Sequence, residues 1–123
     1  MPQNAIHWFE IPALDMDRAV SFYNQLLGYS MSHFNMHNCE MAMFPFEPGV
    51  GVGGAITKQA DFQPSQQGTL IYLDCGPDLS VALAKVEPAG GKILMPKTAI
   101  GQHGFIALFQ DTEGNRVGLH STS

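Results

Sequence analysis

The side chains best equipped for chemistry in this 123-residue chain are few and scattered. Glu10 stands in the run Ile6-His7-Trp8-Phe9-Glu10-Ile11, and His120 closes the run from Asn115 to His120. A carboxylate beside an imidazole can move a proton near neutral pH or hold a divalent ion weakly, since His titrates there and the acid orients it. Strand alternation puts Glu10 on the face of Trp8 and His120 on the face of Gly118, with Thr57 able to join them. The other reading of the pair is a hydrogen-bonded lining residue and a histidine at a fraying terminus. His103 lies in Gly101-Gln102-His103-Gly104, a loop whose glycines permit motion, so it can contact or gate a ligand. His7 points away from the Trp8 face, and His33 and His37 flank a polar stretch and are expected in solvent. Trp8 and Tyr72 offer flat surfaces for stacking a conjugated ligand. Met41 and Met43 alternate with Glu40 and Ala42 as adaptable apolar contacts. Packing within the sheet or core is the other reading for Tyr72 and the methionines. Cys39 and Cys75 have neither a CxxC spacing nor a basic neighbour and read as structural thiols. Gly49-Val50-Gly51-Val52-Gly53-Gly54 lacks the following helix that a dinucleotide loop requires.

These residues need elements to carry them. Ile6–Ile11 reads as a strand stopped by Pro12. Asp15 to Gly28 reads as an amphipathic helix, with Asp15 as N-cap, Gly28 as its closing glycine, and Ala19, Phe22, Tyr23, Leu26 and Leu27 on one face. Tyr29–Phe34, Cys39–Phe44 and Val50–Thr57 follow as strands, the last glycine-rich, with Pro45-Phe46-Glu47-Pro48-Gly49 as a turn. Lys58 to Gln67 is polar and aperiodic, a linker. Then the order repeats: strand Thr69–Cys75, helix Asp78–Glu87 closed by Gly90-Gly91, and strands Lys92–Met95, Phe105–Phe109 and Asn115–His120. Two βαβββ modules, at about 5–57 and 68–121, account for the chain as one α+β domain spanning 1–123. One module cannot bury both faces of its four strands. Two can curl their free faces into an eight-stranded cup, and the inward strand residues would then line a ligand cavity.

Composition narrows the partners. Hydrophobic residues make up 45% and charged residues 14%, which suits a folded core and excludes a disordered chain. A formal charge of −5 disfavours nucleic acid and anionic membranes as partners. Two cysteines suit a reducing compartment. With no signal-like start and no apolar run near the roughly 20 residues a bilayer needs, the expectation is a cytoplasmic protein.

Phe9-Glu10-Ile11-Pro12 followed by Asp15 to Tyr23 and Leu27-Gly28 resembles the opening of the vicinal oxygen chelate superfamily, which includes glyoxalase I, bleomycin resistance proteins, extradiol dioxygenases and fosfomycin resistance enzymes. Ala89-Gly90-Gly91-Lys92, Phe105–Phe109 and Asp111-Thr112-Glu113-Gly114-Asn115 extend the resemblance across residues 6–120. It implies metal ligands on the first and last strand of each half. Carried over, those positions fall on Trp8, Gly53 or Gly54, a residue near Ile71, and Gly118, none with a ligating side chain. No metal ligand is therefore assigned and no cofactor is expected. A divalent metal is possible only through relocated ligands, Glu10 and His120, each two residues beyond its family position. The expected function is binding of an apolar or aromatic small molecule, with Trp8, Met41, Met43, Tyr72 and His103 as contacts. A glyoxalase- or dioxygenase-type enzyme using Glu10 and His120 is the alternative, and a regulatory module the third reading. The resemblance also implies a homodimer.

Overall fold

Asp15 and Gly28 bracket the first helix as their chemistry dictates. The Asp15 carboxylate accepts a hydrogen bond from the Arg18 amide at 3.1 Å, and Gly28 adopts the left-handed conformation (φ 72°) that ends α1, Met16–Leu27. The computed structural model describes residues 4–36 and 38–123, so the reading of His37 lies outside the described residues.

Around α1 stand β1 (Trp8–Pro12), β2 (Ser32–Met36), β3 (Cys39–Met43) and β4 (Gly53–Lys58), in the order β1-β4-β3-β2. The second module repeats the plan with β5 (Tyr72–Asp74), α2 (Ser80–Leu83), β6 (Lys92–Ala99), β7 (Phe105–Gln110) and β8 (Arg116–Ser121), in the order β5-β8-β7-β6. In each sheet the first strand runs parallel to the last and the other pairs are antiparallel. The fold is the α+β pair of βαβββ modules that the sequence predicts.

Most boundaries differ from expectation: β1 starts at Trp8 and includes Pro12, β2 is Ser32–Met36 rather than Tyr29–Phe34, β4 is Gly53–Lys58 rather than Val50–Thr57, and three further differences have local causes. α2 is one turn rather than Asp78–Glu87: the amides of Lys85 and Val86 switch to bonds three residues back (to Ala82 and Leu83), and Pro88 has no amide to continue with. Asp78 lies just outside, where the Ser80 amide and Lys97 Nζ (both 2.9 Å) hold its carboxyl down at about 2. β6 runs on to Ala99 through Pro96, with register shifts either side of Met95; as an edge strand it tolerates a missing ladder donor. β5 is shorter than expected, since Ile71 reaches β8 only through its carbonyl, bonded by the Gly118 amide at 2.8 Å.

Each sheet has one face against the helices. Ile11, Ile56 and Ala42 lie in register across β1, β4 and β3 and join one buried cluster with α1. The same cluster takes in Leu73, Ala107, Phe109, Val117 and Leu119 from the second sheet, with Leu79, Ala82 and Val86 around α2. Tyr23 is its hinge pin, packing at 5.5 Å from Phe44 of the first module and 6.3 Å from Phe109 of the second. A single core thus joins the modules, and the opposite face of each sheet is left for function.

The joint is also polar. Asp111 Oδ1 accepts the amides of Glu113 and Asn115, while its Oδ2 accepts the Tyr23 hydroxyl at 2.7 Å and Asn115 Nδ2 at 2.9 Å. Glu113 accepts the amides of Leu14 and Asp15, each at 2.8 Å, and the Arg18 fork at 2.6 and 3.0 Å. Burial alone would push the Glu113 carboxyl up, but Arg18 and the amides of Asp15 and Leu14 together hold it below its ordinary value. The Asp111–Asn115 motif therefore does structural work, clamping the turn before β8 onto the start of α1.

Candidate functional site

Alternation fixes the free face of the first sheet. With Phe9, Ile11, Ala42 and Ile56 turned to the helices, Trp8, Glu10, Met41, Met43, Ala55 and Thr57 point the other way. On the second sheet the same logic frees Tyr72, Asp74, Ile106, Leu108, Arg116, Gly118 and His120.

Two glycines on these faces carry aromatic rings. A Cβ built on Gly53 would lie 2.4 Å from the Phe46 ring, and one on Gly118 would lie 2.3 Å from the Tyr72 ring. Each ring therefore lies across bare backbone that any side chain would fill. Trp8 meets Phe46 edge to face, with ring centroids 6.3 Å apart. The register makes the pairs equivalent: Trp8 stands opposite Gly53 as Tyr72 stands opposite Gly118. The position expected near Ile71 is thus Tyr72 itself.

Trp8, Phe46 and Gly53 line a cleft of about 610 Å³, completed by Ile6, Pro48 and Val52. Among the described residues no Asp, Glu, Lys or Arg lines it. A neighbouring hollow of about 510 Å³ is walled by Phe9, Leu70 and Tyr72, with Asp74 at its edge. The two share Ile6 and the loop residues Val50, Gly51 and Val52. Tyr72, at the start of the edge strand β5, is 44% exposed and is available to a ligand.

The other expected residues are placed elsewhere. Met41 is buried and Met43 half-buried, both outside the main cluster and outside the lining of these two clefts. Glu10 accepts the Thr57 hydroxyl at 2.9 Å, the contact that alternation suggested, and lines a different groove between the modules. His120 is in register with Asp74, and its Nε2–H donates to the His103 backbone carbonyl at 2.6 Å. Glu10 and His120 are not brought together: they occupy different sheets, with partners of their own. The His103 imidazole is exposed, while the backbone of its loop is pinned. Gly104 is buried at φ 99°, and a Cβ there would lie 2.3 Å from the Ser121 carbonyl, so this glycine serves close approach rather than motion.

Metal chemistry can be tested against the side chains. The four positions that the resemblance assigns to ligands hold Trp8, Gly53, Tyr72 and Gly118, without a carboxylate, imidazole or thiolate, and rings cover both glycines. This donor set does not fit a divalent ion. Among the described residues no group of three or more His, Cys, Asp or Glu could hold one.

Comparison with known proteins places the scaffold. Residues 6–45 match the family model described as bleomycin resistance protein-like N-terminal. A glyoxalase/bleomycin resistance protein from Albidiferax ferrireducens superposes with a TM-score of 0.75 at 16% identity, covering 98% of this chain and 100% of that one. The fold is that of the glyoxalase/bleomycin resistance/dioxygenase proteins. A glyoxylase/bleomycin resistance protein/dioxygenase domain from Frankia matches with a TM-score of 0.74 at 14% identity over 100% of this chain and 94% of that one. The curated "Putative glyoxylase CFP32" of Mycobacterium tuberculosis is 28% identical over 95% of this chain. The chain spans only 45% of that relative's length. No helix among the described residues is long and apolar enough to cross a membrane.

Sequence reasoning missed Phe46, Gly53 and Gly118 as a working set. A signal was present: an aromatic residue between Pro45 and Pro48 in a turn must be covered by something, and only small residues opposite let a ring lie flat.

The ring-on-glycine arrangement makes a direct prediction. Gly53→Ala and Gly118→Ala should each expel one ring from its seat at a stability cost of about 1–3 kcal/mol, because the obstruction runs from the ring edge back to Cγ and the whole ring must leave. Ring-current shifts in NMR spectra should change around Phe46 in the first variant and Tyr72 in the second. Unmoved shifts would show that the rings do not rest on these glycines.

Proposed function

We propose that this chain is a small-molecule-binding protein of the vicinal oxygen chelate superfamily that takes an apolar, planar aromatic compound against Trp8 and Phe46, without a metal. The observation that carries the reading is aromatic rings seated on glycine at the positions the resemblance assigns to ligands, in a cleft whose described lining includes His7 but no Asp, Glu, Lys or Arg. The cleft volume lies within the usual range of roughly 300–1,000 Å³ for small-molecule sites. Aromatic pairing adds about 0.5–1.5 kcal/mol beyond area burial, so flat ligands are favoured over saturated ones of the same size. The homodimer suggested by the resemblance belongs to the same reading: a second copy would cover Trp8, Glu10 and Tyr72, which the shared core leaves wholly or partly exposed.

Calorimetric titration with naphthol and with its fully saturated analogue tests this. Naphthol should bind saturably, and the saturated compound about tenfold more weakly. Equal affinities, or no heat from either, would contradict the reading.

A further inference from the structure

The groove that holds Glu10 is separate from the aromatic cleft and is built by both modules. β1 contributes Glu10 and Pro12, β8 contributes Arg116, and the linker contributes Gln63, Ser65 and Gln67. The linker is fastened as a wall: the Ser65 amide donates to Asn115 Oδ1 at 3.3 Å, and the Arg116 amide donates to the Ser65 carbonyl at 3.4 Å. Asn115 in turn donates to the Pro12 carbonyl at 2.8 Å, fixing the β1 side against the β8 side.

Two charged groups in this groove have capacity to spare. Of the two arginines, Arg18 is taken up by Glu113, whereas the Arg116 side chain has no hydrogen-bond or ion-pair partner among the described residues. Glu10 receives Thr57 on Oε1, and its Oε2 has no partner among the described residues. A half-buried guanidinium presents a planar fork that matches a carboxylate bidentately. An open carboxylate oxygen nearby accepts from a hydroxyl or ammonium and repels a doubly charged phosphate. The groove holds about 200 Å³. At about 30 Å³ per water in the liquid, that suits a molecule of about seven non-hydrogen atoms.

We propose that this junction groove binds a small carboxylate bearing a hydrogen-bond donor, such as a hydroxy acid, with Arg116 gripping the carboxylate and Glu10 the donor. The site is distinct from the aromatic cleft, so either can fail without the other.

The test is an amide-resolved NMR titration of the intact protein with β-hydroxybutyrate, with butyrate (no donor) and with β-hydroxybutyramide (no charge). β-Hydroxybutyrate should give saturable shifts confined to residues 63–69 and the neighbourhood of Arg116, butyrate should bind about threefold more weakly, and the amide should give none. Arg116→Gln should weaken β-hydroxybutyrate at least about tenfold, with Arg116→Lys in between. Glu10→Gln should weaken β-hydroxybutyrate but not butyrate. The proposal is overturned if no shift saturates, if the amide binds as well as the acid, or if Arg116→Gln keeps full affinity. Should Arg116→Gln lose its native melt, undiminished affinity in Arg116→Lys would overturn it equally. Retained naphthol binding in Arg116→Gln marks the loss as specific to the groove.

Discussion

Glu113→Ala should lower stability by about 2–4 kcal/mol, read as a fall in the thermal midpoint on the order of 10 °C. The carboxylate is 1% exposed, and its removal strips partners from the amides of Leu14 and Asp15 as well as from Arg18. Arg18 is 49% exposed and can be rehydrated, so most of the loss comes from the two amides rather than from the ion pair. Glu113→Gln keeps an acceptor for those amides and should cost about half as much. The sign of the pH dependence follows. Because the folded carboxyl titrates below its ordinary value of 4.5, its contribution is present above that pH and lost as pH falls through the folded value. Denaturant unfolding from pH 7 to pH 3 should therefore show a steeper decline for the native protein than for Glu113→Gln. Parallel declines would show that the joint does not depend on this charge.

The second large effect concerns binding. Trp8→Ala should weaken naphthol by about thirtyfold, which corresponds to about 2 kcal/mol. Trp8 is half-buried and outside the main cluster, so the fold should survive its removal. Phe46→Ala should weaken naphthol less, because Phe46 walls the cleft from a loop while Trp8 is fixed on β1. Calorimetry on both variants, with thermal midpoints as a control, decides the matter. An unchanged affinity in Trp8→Ala would remove Trp8 from the site.

How much of this was legible from the residues depends on the range of the interaction. α1 was legible end to end, because its cap, its apolar spacing and its closing glycine all act within a few residues. Trp8 and Tyr72 were legible as candidates, since alternation and the equivalence of the modules need no tertiary detail. α2 was not, because its one-turn length reflects packing of Ala82 and Val86 and the halt at Pro88 rather than the local apolar pattern. Glu10 and His120 looked like a pair because each sits on a free face. Whether two free faces bring their residues together depends on how the sheets are joined, and the Tyr23–Asp111 and Arg18–Glu113 clamps that join them span 88 and 95 positions. The same holds for Phe46, whose role appears only once β4 places Gly53 beneath its ring.

The claim underlying the rest is that aromatic rings have taken the seats of metal ligands. Naphthol titrations of the purified protein in the presence of a strong chelator, and again with added Ni²⁺, Zn²⁺, Mn²⁺ or Fe²⁺, test it most directly, with thermal midpoints recorded alongside. The account predicts the same affinity in every buffer and no metal-induced rise in the midpoint. Stoichiometric metal uptake with a large rise in the midpoint, or naphthol binding that the chelator abolishes, would contradict it.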